Sequence, residues 1–229
     1  MKQRFSVWDT VFAAAAVLCL SGLSGCSRET TSGPAGFYDP YGGQDYRQIQ
    51  FKDSLKSNQP LEGGIAELSF TDINGEQYSL KDFLGKKNVV LVVTRGYAGS
   101  VCLYCSTQTS RLLTSYKKFS DRDTEVVVVF PVETSEDSTR HRDFVANVKG
   151  KLDTPPEKIP FPIVLDVELK AVDQLGIRKD LSKPATYIID KQGQVRFAYV
   201  GESLADRPSV KALLEQLDAL NQDNAGTGS

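Results

Sequence analysis

The run Asn88-Val89-Val90-Leu91-Val92-Val93-Thr94, with Val101-Cys102-Leu103-Tyr104-Cys105 shortly after it, decides the fold. An unbroken β-branched, apolar run of this length predicts a central strand buried on both faces. From Cys105 onward, Leu112, Leu113, Tyr116 and Phe119 recur at helical spacing, so a helix is expected to begin at the cysteines. A cysteine at a helix N-terminus meets unpaired backbone N–H groups and the positive end of the helix dipole, which favour thiolate over thiol. A second cysteine three residues on lies one turn along the same face, within reach of a disulfide with the first. Cys102 is therefore expected to be the exposed nucleophile and Cys105 the more buried resolving thiol.

Outward from this centre, strands and helices alternate. Leu68–Asp72 and Gln77–Leu80 flank an Asn74-Gly75 turn and predict a hairpin. Lys81–Leu84 suits one helical turn closed by Gly85, and Thr124–Phe130 reads as a second buried strand. A charged helix is expected over Ser138–Lys149, a strand over Phe161–Leu165 and a short helix over Glu168–Leu175. Ala185–Ile189 and Val195–Val200 flank a second turn at Gly193, and Ser209–Leu220 predicts a last amphipathic helix. The expected fold class is α/β, a central mixed sheet with helices on both faces and an extra N-terminal hairpin. The domain is placed at 49–221, with a tail at 222–229.

Composition is that of an ordinary globular chain: 229 residues, 40% hydrophobic, 24% charged, net charge −2. It offers no basic footprint for nucleic acid. One histidine, His141 in a polar segment, leaves a zinc site short of ligands, so no metal is expected. At the N-terminus, Lys2 and Arg4 precede an apolar stretch from Val11 to Leu20, a signal-peptide pattern over 1–25. Leu23-Ser24-Gly25-Cys26 resembles the lipobox of bacterial lipoproteins, which implies lipidation at Cys26. A Gly-, Ser- and Pro-rich tether is expected over 26–48. On this reading the protein is lipid-anchored in the bacterial cell envelope, and Cys102 and Cys105 are the thiols left in the mature chain.

Gly85-Lys86-Lys87-Asn88-Val89-Val90-Leu91, the C-x-x-C, and Lys183-Pro184-Ala185-Thr186-Tyr187-Ile188-Ile189-Asp190 with Gly193 together resemble the thioredoxin-like superfamily, in its redoxin/AhpC-TSA group. Within that group the chain resembles the membrane-anchored TlpA- and ResA-like dithiol proteins. The resemblance implies a thioredoxin-like fold, a cis-proline at Pro184, and a partner-binding loop at Lys183, Pro184 and Ala185. It also implies a thiol-disulfide oxidoreductase, expected to work in the reducing direction. Its implied partners are exported thiol or disulfide clients and an upstream electron donor, with the Cys102–Cys105 pair in place of any cofactor. Two other readings stay open: a peroxiredoxin-like thiol peroxidase, and a non-catalytic lipoprotein with an inert disulfide. Peroxiredoxins resemble one another in P-x-x-x-T-x-x-C; counted from Cys102, the proline and threonine positions hold Arg95 and Gly99. Arg95 is a candidate thiolate stabiliser. No carboxylate lies on the Val89–Val93 strand to take the proton of Cys105.

Overall fold

The computed structural model describes residues 44–60 and 64–226. In chain order the strands and helices are β1 (Ser69–Asp72), β2 (Gln77–Ser79), β3 (Asn88–Val93), α1 (Leu103–Thr114), α2 (Tyr116–Ser120), β4 (Thr124–Val132), α3 (His141–Lys149), β5 (Ile163–Val167), α4 (Lys170–Gln174), β6 (Arg178–Lys179), β7 (Leu181–Ser182), β8 (Ala185–Ile189), β9 (Val195–Val200) and α5 (Val210–Gly226). The main sheet runs β2-β1-β5-β4-β3-β8-β9. β3, β4 and β5 are parallel, and β8 lies antiparallel to β3, with Val93 opposite Ala185. The first hairpin joins the sheet through β1, antiparallel to β5. This is the thioredoxin-like arrangement the sequence predicts, with the N-terminal hairpin added at one edge.

The central strands are buried along their whole length, as their composition requires. Their side chains alternate between two cores. Val90, Val92, Val126, Val128 and Phe130 face the side that holds Leu112 of α1, Phe144 of α3 and Leu213 of α5. Val89, Leu91, Val93, Val127 and Val129 face the other side, against Leu80, Ala171 and Val172. Each fully buried aliphatic side chain contributes about 1.5–3 kcal/mol, so two-sided burial makes this strand pair the anchor of the fold. Phe130 and Phe144 stack at 4.9 Å between centroids and fix α3 to β4.

Several boundaries differ from the sequence reading. β4 continues to Val132, and the helix expected from Ser138 is a 3-10 turn over Glu136–Arg140 leading into α3. α5 continues past Leu220 to Gly226, because the polar residues there still form helix and no proline or earlier glycine ends it.

Residues 44–60 form a strap over the domain. Tyr46–Gln48 is a 3-10 turn that falls within the stretch read as a tether. Arg111 of α1 donates to the Ile49 carbonyl at 2.6 Å and lies over the Phe51 ring. Further on, the strap covers the open edge of β9. Asn58 N–H donates to Ala198 O, while its side-chain amide exchanges hydrogen bonds with both backbone groups of Val200. An edge strand paired in this way offers no template to another chain.

Among the described residues, no helix is long and apolar enough to cross a membrane. Leu84 is the one large hydrophobic side chain exposed among them. The signal segment and the lipidation expected at Cys26 lie outside the described residues.

Candidate active site

The loop between β3 and α1 leads to the dithiol, with Cys102 at its end and Cys105 in the first turn of α1, at the C-terminal end of the parallel strands. Thr94 starts it with backbone and hydroxyl both donating to Val129 O. Gly96 then turns at φ 90°, and a Cβ there would sit 2.3 Å from Pro131 O. Only glycine lets the loop pass this close to β4. Gly99, also in the left-handed region at φ 77°, gives a physical reason why a β-branched threonine does not stand there.

Cys102 is the N-cap of α1, and its Sγ accepts the Cys105 N–H at 3.3 Å, the role a serine or threonine hydroxyl ordinarily fills. The placement agrees with the sequence reading; the exposure does not. Cys102 is 3% exposed and Cys105 1%, because both belong to the core shared by the sheet and α1, against which Tyr97 of the loop and Tyr104 of α1 pack. Tyr104, between the cysteines, donates its hydroxyl to Gln44 of the strap. Both cysteines carry thiols. Among the described residues these two are the cysteines, an arrangement consistent with a redox-active thiol pair, and no group of three or more His, Cys, Asp or Glu able to hold a metal occurs among those residues.

The two sulfurs have different surroundings. Cys105 Sγ accepts from the Arg95 backbone N–H at 3.4 Å and from Arg207 Nη2 at 3.2 Å. Burial pushes the Cys105 thiol well above its ordinary value, and its hydrogen bond with Cys102 adds to this; Arg207 and the Arg95 N–H pull it back down. Arg207 lies in the loop between β9 and α5 and is itself 1% exposed. Its Nε donates to Leu204 O and its Nη1 to Gln108 Oε1, both at 2.7 Å. Gly201 permits this arrangement: a Cβ there would stand 2.1 Å from Asp206 O.

The other residues singled out from the sequence fall around this centre. Arg95 reaches the sulfur through its backbone N–H, and the residue also lines a cavity of about 370 Å³ with Ser182, Lys183, Pro184, Gly201 and Leu204. The pairing of Val93 with Ala185 sets Pro184 beside the end of β3, and Pro184 O accepts from Gly201 N–H at 2.8 Å. The cation at the dithiol is thus Arg207, which sequence reasoning missed because it lies 102 positions from Cys105. The buried carboxylates are engaged elsewhere: Glu125 with Lys87 and Tyr116, Asp166 with the Ala171 and Val172 N–H groups, and Asp190 with its own turn and Arg196. His141 accompanies its 3-10 turn, with Nδ1 2.5 Å from Ser138 O.

A family model described as the AhpC/TSA family matches residues 64–198. No curated protein matches the chain. Among solved structures, the mitochondrial 2-Cys peroxiredoxin of Plasmodium falciparum superposes with a TM-score of 0.55 at 19% identity, over 70% of this chain and 92% of its own. The yeast mitochondrial 1-Cys peroxiredoxin, described with a thiol-resolving mechanism through glutathione and thioredoxin systems, gives 0.58 at 16%, over 75% and 79%. The peroxidoxin BcpB of Mycobacterium tuberculosis gives 0.53 at 18%, over 73% and 99%. At these identities the likeness concerns the fold.

These findings correct the narrower expectation of a TlpA- or ResA-like membrane-anchored lipoprotein. The matching family is AhpC/TSA, and the structural likenesses are to peroxiredoxins. The reading as an exported client-exchange oxidoreductase, with peroxidase activity the lesser option, is corrected in the same direction. A lipid anchor at Cys26, membrane partnership and placement in the cell envelope find no support in the fold or in the comparisons, and are withdrawn.

Proposed function

This chain belongs to the AhpC/TSA family, and from that premise we propose that it is a thiol peroxidase working through Cys102 and Cys105. The observation that carries the proposal is the placement of two thiols one turn apart at the start of α1, with a buried cation and a backbone N–H directed at the second. Helix N–H groups favour charge on Cys102, and Cys105 is within reach to resolve it.

The Cys102 thiolate attacks one oxygen of a hydroperoxide. An S–O bond forms, the O–O bond breaks, and the departing alkoxide or hydroxide takes a proton from solvent, leaving Cys102 as sulfenic acid. Cys105 then attacks that sulfur; the S–S bond forms, and the sulfenic oxygen leaves as water with the Cys105 proton. Two thiols of a small or protein reductant restore the pair by disulfide exchange. The cavity at Arg95, Lys183 and Pro184 is the approach we assign to peroxide and reductant. The departure from P-x-x-x-T-x-x-C is part of the proposal: Cys102 at the N-cap supplies a sulfur where the family signature, counted from Cys105, has threonine. A second reading follows from the donors on Cys105, in which that sulfur meets peroxide first and Cys102 resolves it.

Peroxide consumption coupled to a dithiol reductant tests the function. Turnover should exceed that of free cysteine and disappear in Cys102→Ser and in Cys105→Ser. A rate no better than free cysteine would overturn it. Dimedone labelling of the two single variants assigns the roles, since the variant that keeps the attacking cysteine traps the sulfenic acid.

A further inference from the structure

Arg207 is a buried guanidinium without a carboxylate. Among the described residues no Asp or Glu lies within 4.0 Å of it, and its partners are Leu204 O, Gln108 Oε1 and Cys105 Sγ. Taking a charge out of water costs several kcal/mol, and buried charges are ordinarily matched by an opposite one. Arg207 has two neutral acceptors and one sulfur that can become an anion.

Gln108 points to the same conclusion independently. It is 3% exposed and follows Cys105 by three residues, on the same side of α1. Its Oε1 accepts from Arg207, and its Nε2 has no hydrogen-bond partner among the described residues. Turning the amide over does not relieve this, because Arg207 offers only donors. An orphaned buried donor costs about 1–3 kcal/mol. Around Cys105 there are therefore a guanidinium, the amide of its partner Gln108 and a backbone N–H, and the carboxylate base usual for such a thiol is missing.

We propose that Arg207 is the counter-ion of a Cys105 thiolate, so that the resolving cysteine is activated by a buried cation rather than deprotonated by a neighbouring base. Before resolution Cys105 is a thiol, as its burial favours. When Cys105 attacks the sulfur of the Cys102 sulfenic acid, its proton leaves with the sulfenic oxygen as water, and the charge developing on Cys105 is met by Arg207 at 3.2 Å. The electrons of the new S–S bond come from Cys105, and the S–O bond of Cys102 breaks. The strap sets the height of the cation: Lys52 N–H donates to Arg207 O and Ser209 N–H to Lys52 O, both at 2.9 Å. The titratable and charged groups facing Cys105 Sγ are Cys102 and Arg207, with Arg95 facing it through its N–H.

Titration of Cys105 in Cys102→Ser protein, followed by the 13Cβ chemical shift of labelled cysteine, isolates the group from its coupled partner. Arg207→Met in that background should raise the midpoint by about one pH unit or more, and Arg207→Lys should raise it less. Equal midpoints in the three proteins would overturn the proposal. Should Arg207→Met fail to fold, Gln108→Met frees Nη1 and should still move the midpoint; no movement there overturns the proposal equally. The mechanistic role rests on the peroxidase reading, and in the two-cysteine protein Arg207→Met should lengthen the life of the sulfenic acid at least tenfold. A protein that forms no sulfenic acid yet keeps an Arg207-dependent midpoint would sink the peroxidase reading and leave the ion pair standing. A sulfenic acid of unchanged lifetime would remove Arg207 from the resolving step.

Discussion

Two buried charged side chains sit at opposite ends of the sheet, and their surroundings differ. Glu125 enters at the start of β4 and is closed off by Lys87 at 2.9 Å, the Tyr116 hydroxyl at 2.7 Å and the Val126 N–H. Burial and Glu125 together push Tyr116 above the ordinary phenol range, so it remains a donor. Arg207 lies at the other end, beside the dithiol, with neutral acceptors and a thiol. The first charge is satisfied by fixed partners and holds β3, β4 and α2 together. The second is left for an anion that forms only in chemistry. Burial of a charge alone therefore does not mark a site; the missing fixed counter-charge does.

Substitution should separate the two. Glu125→Leu removes a carboxylate from an ion pair whose lysine reaches water, and it leaves the Tyr116 hydroxyl without its acceptor. We expect a loss of about 2 kcal/mol, read as a fall in Tm of roughly 4–8 °C, with peroxide turnover unchanged. Arg207→Met is expected to do the reverse. Exchanging an unpaired buried charge for an apolar chain of similar length is near neutral, within about 1 kcal/mol in either direction, while turnover falls at least tenfold. Urea denaturation of both variants beside the peroxide assay checks the pair. If both lose stability alike and activity alike, the distinction between them is wrong.

The two ends also differ in what the sequence discloses. β3 and β4 are legible because residues buried on both faces must be apolar along their whole length, and Cys102–Cys105 are legible because strand, turn and helix start are contiguous. The hairpin turn at Asn74-Gly75 follows from local backbone preference alone, with Gly75 at φ 91°. The strap was hidden because its contacts are made by Ser57, Asn58 and backbone groups, which leave no periodic signal. Arg207 was hidden because an arginine near a chain end ordinarily reads as solvated, and only tertiary contact brings it to Cys105. The expectation of an exposed Cys102 failed for a related reason: helix position predicts its charge preference, not what covers it. The family assignment went wrong at subgroup level because the C-x-x-C and the lipobox-like Leu23-Ser24-Gly25-Cys26 were weighed as marks of lipid-anchored dithiol proteins, while the proline and threonine of P-x-x-x-T-x-x-C are absent before Cys102.

The smallest expected effect concerns what holds Arg207 in place. Asp206, its neighbour, accepts from Lys52 Nζ at 2.7 Å, from the Tyr199 hydroxyl at 2.7 Å and from the Glu202 N–H at 3.0 Å. Partial burial works to raise its carboxyl, but these donors outweigh it and hold the group below the ordinary carboxylate value. Lys52 is pushed above the ordinary lysine value by Asp206 first and Tyr199 second. A depressed carboxylate stabilises the fold above its unfolded pKa, and that contribution is lost as pH falls through the folded value. A raised lysine contributes below its unfolded pKa and loses this as pH rises through the folded one. The tie between strap and loop should therefore hold from about pH 4 to about pH 10. Because Lys52 is largely exposed, the effect is screened and local rather than global. Asp206→Asn should speed hydrogen exchange at the Lys52 and Ser209 amides about two- to fivefold at pH 7, and the difference should shrink once pH falls below about 4 and vanish when it has passed the depressed folded value of Asp206. Exchange that stays equal at both pH values would mean that the backbone bonds alone hold the strap, and that the position of Arg207 does not depend on this ion pair.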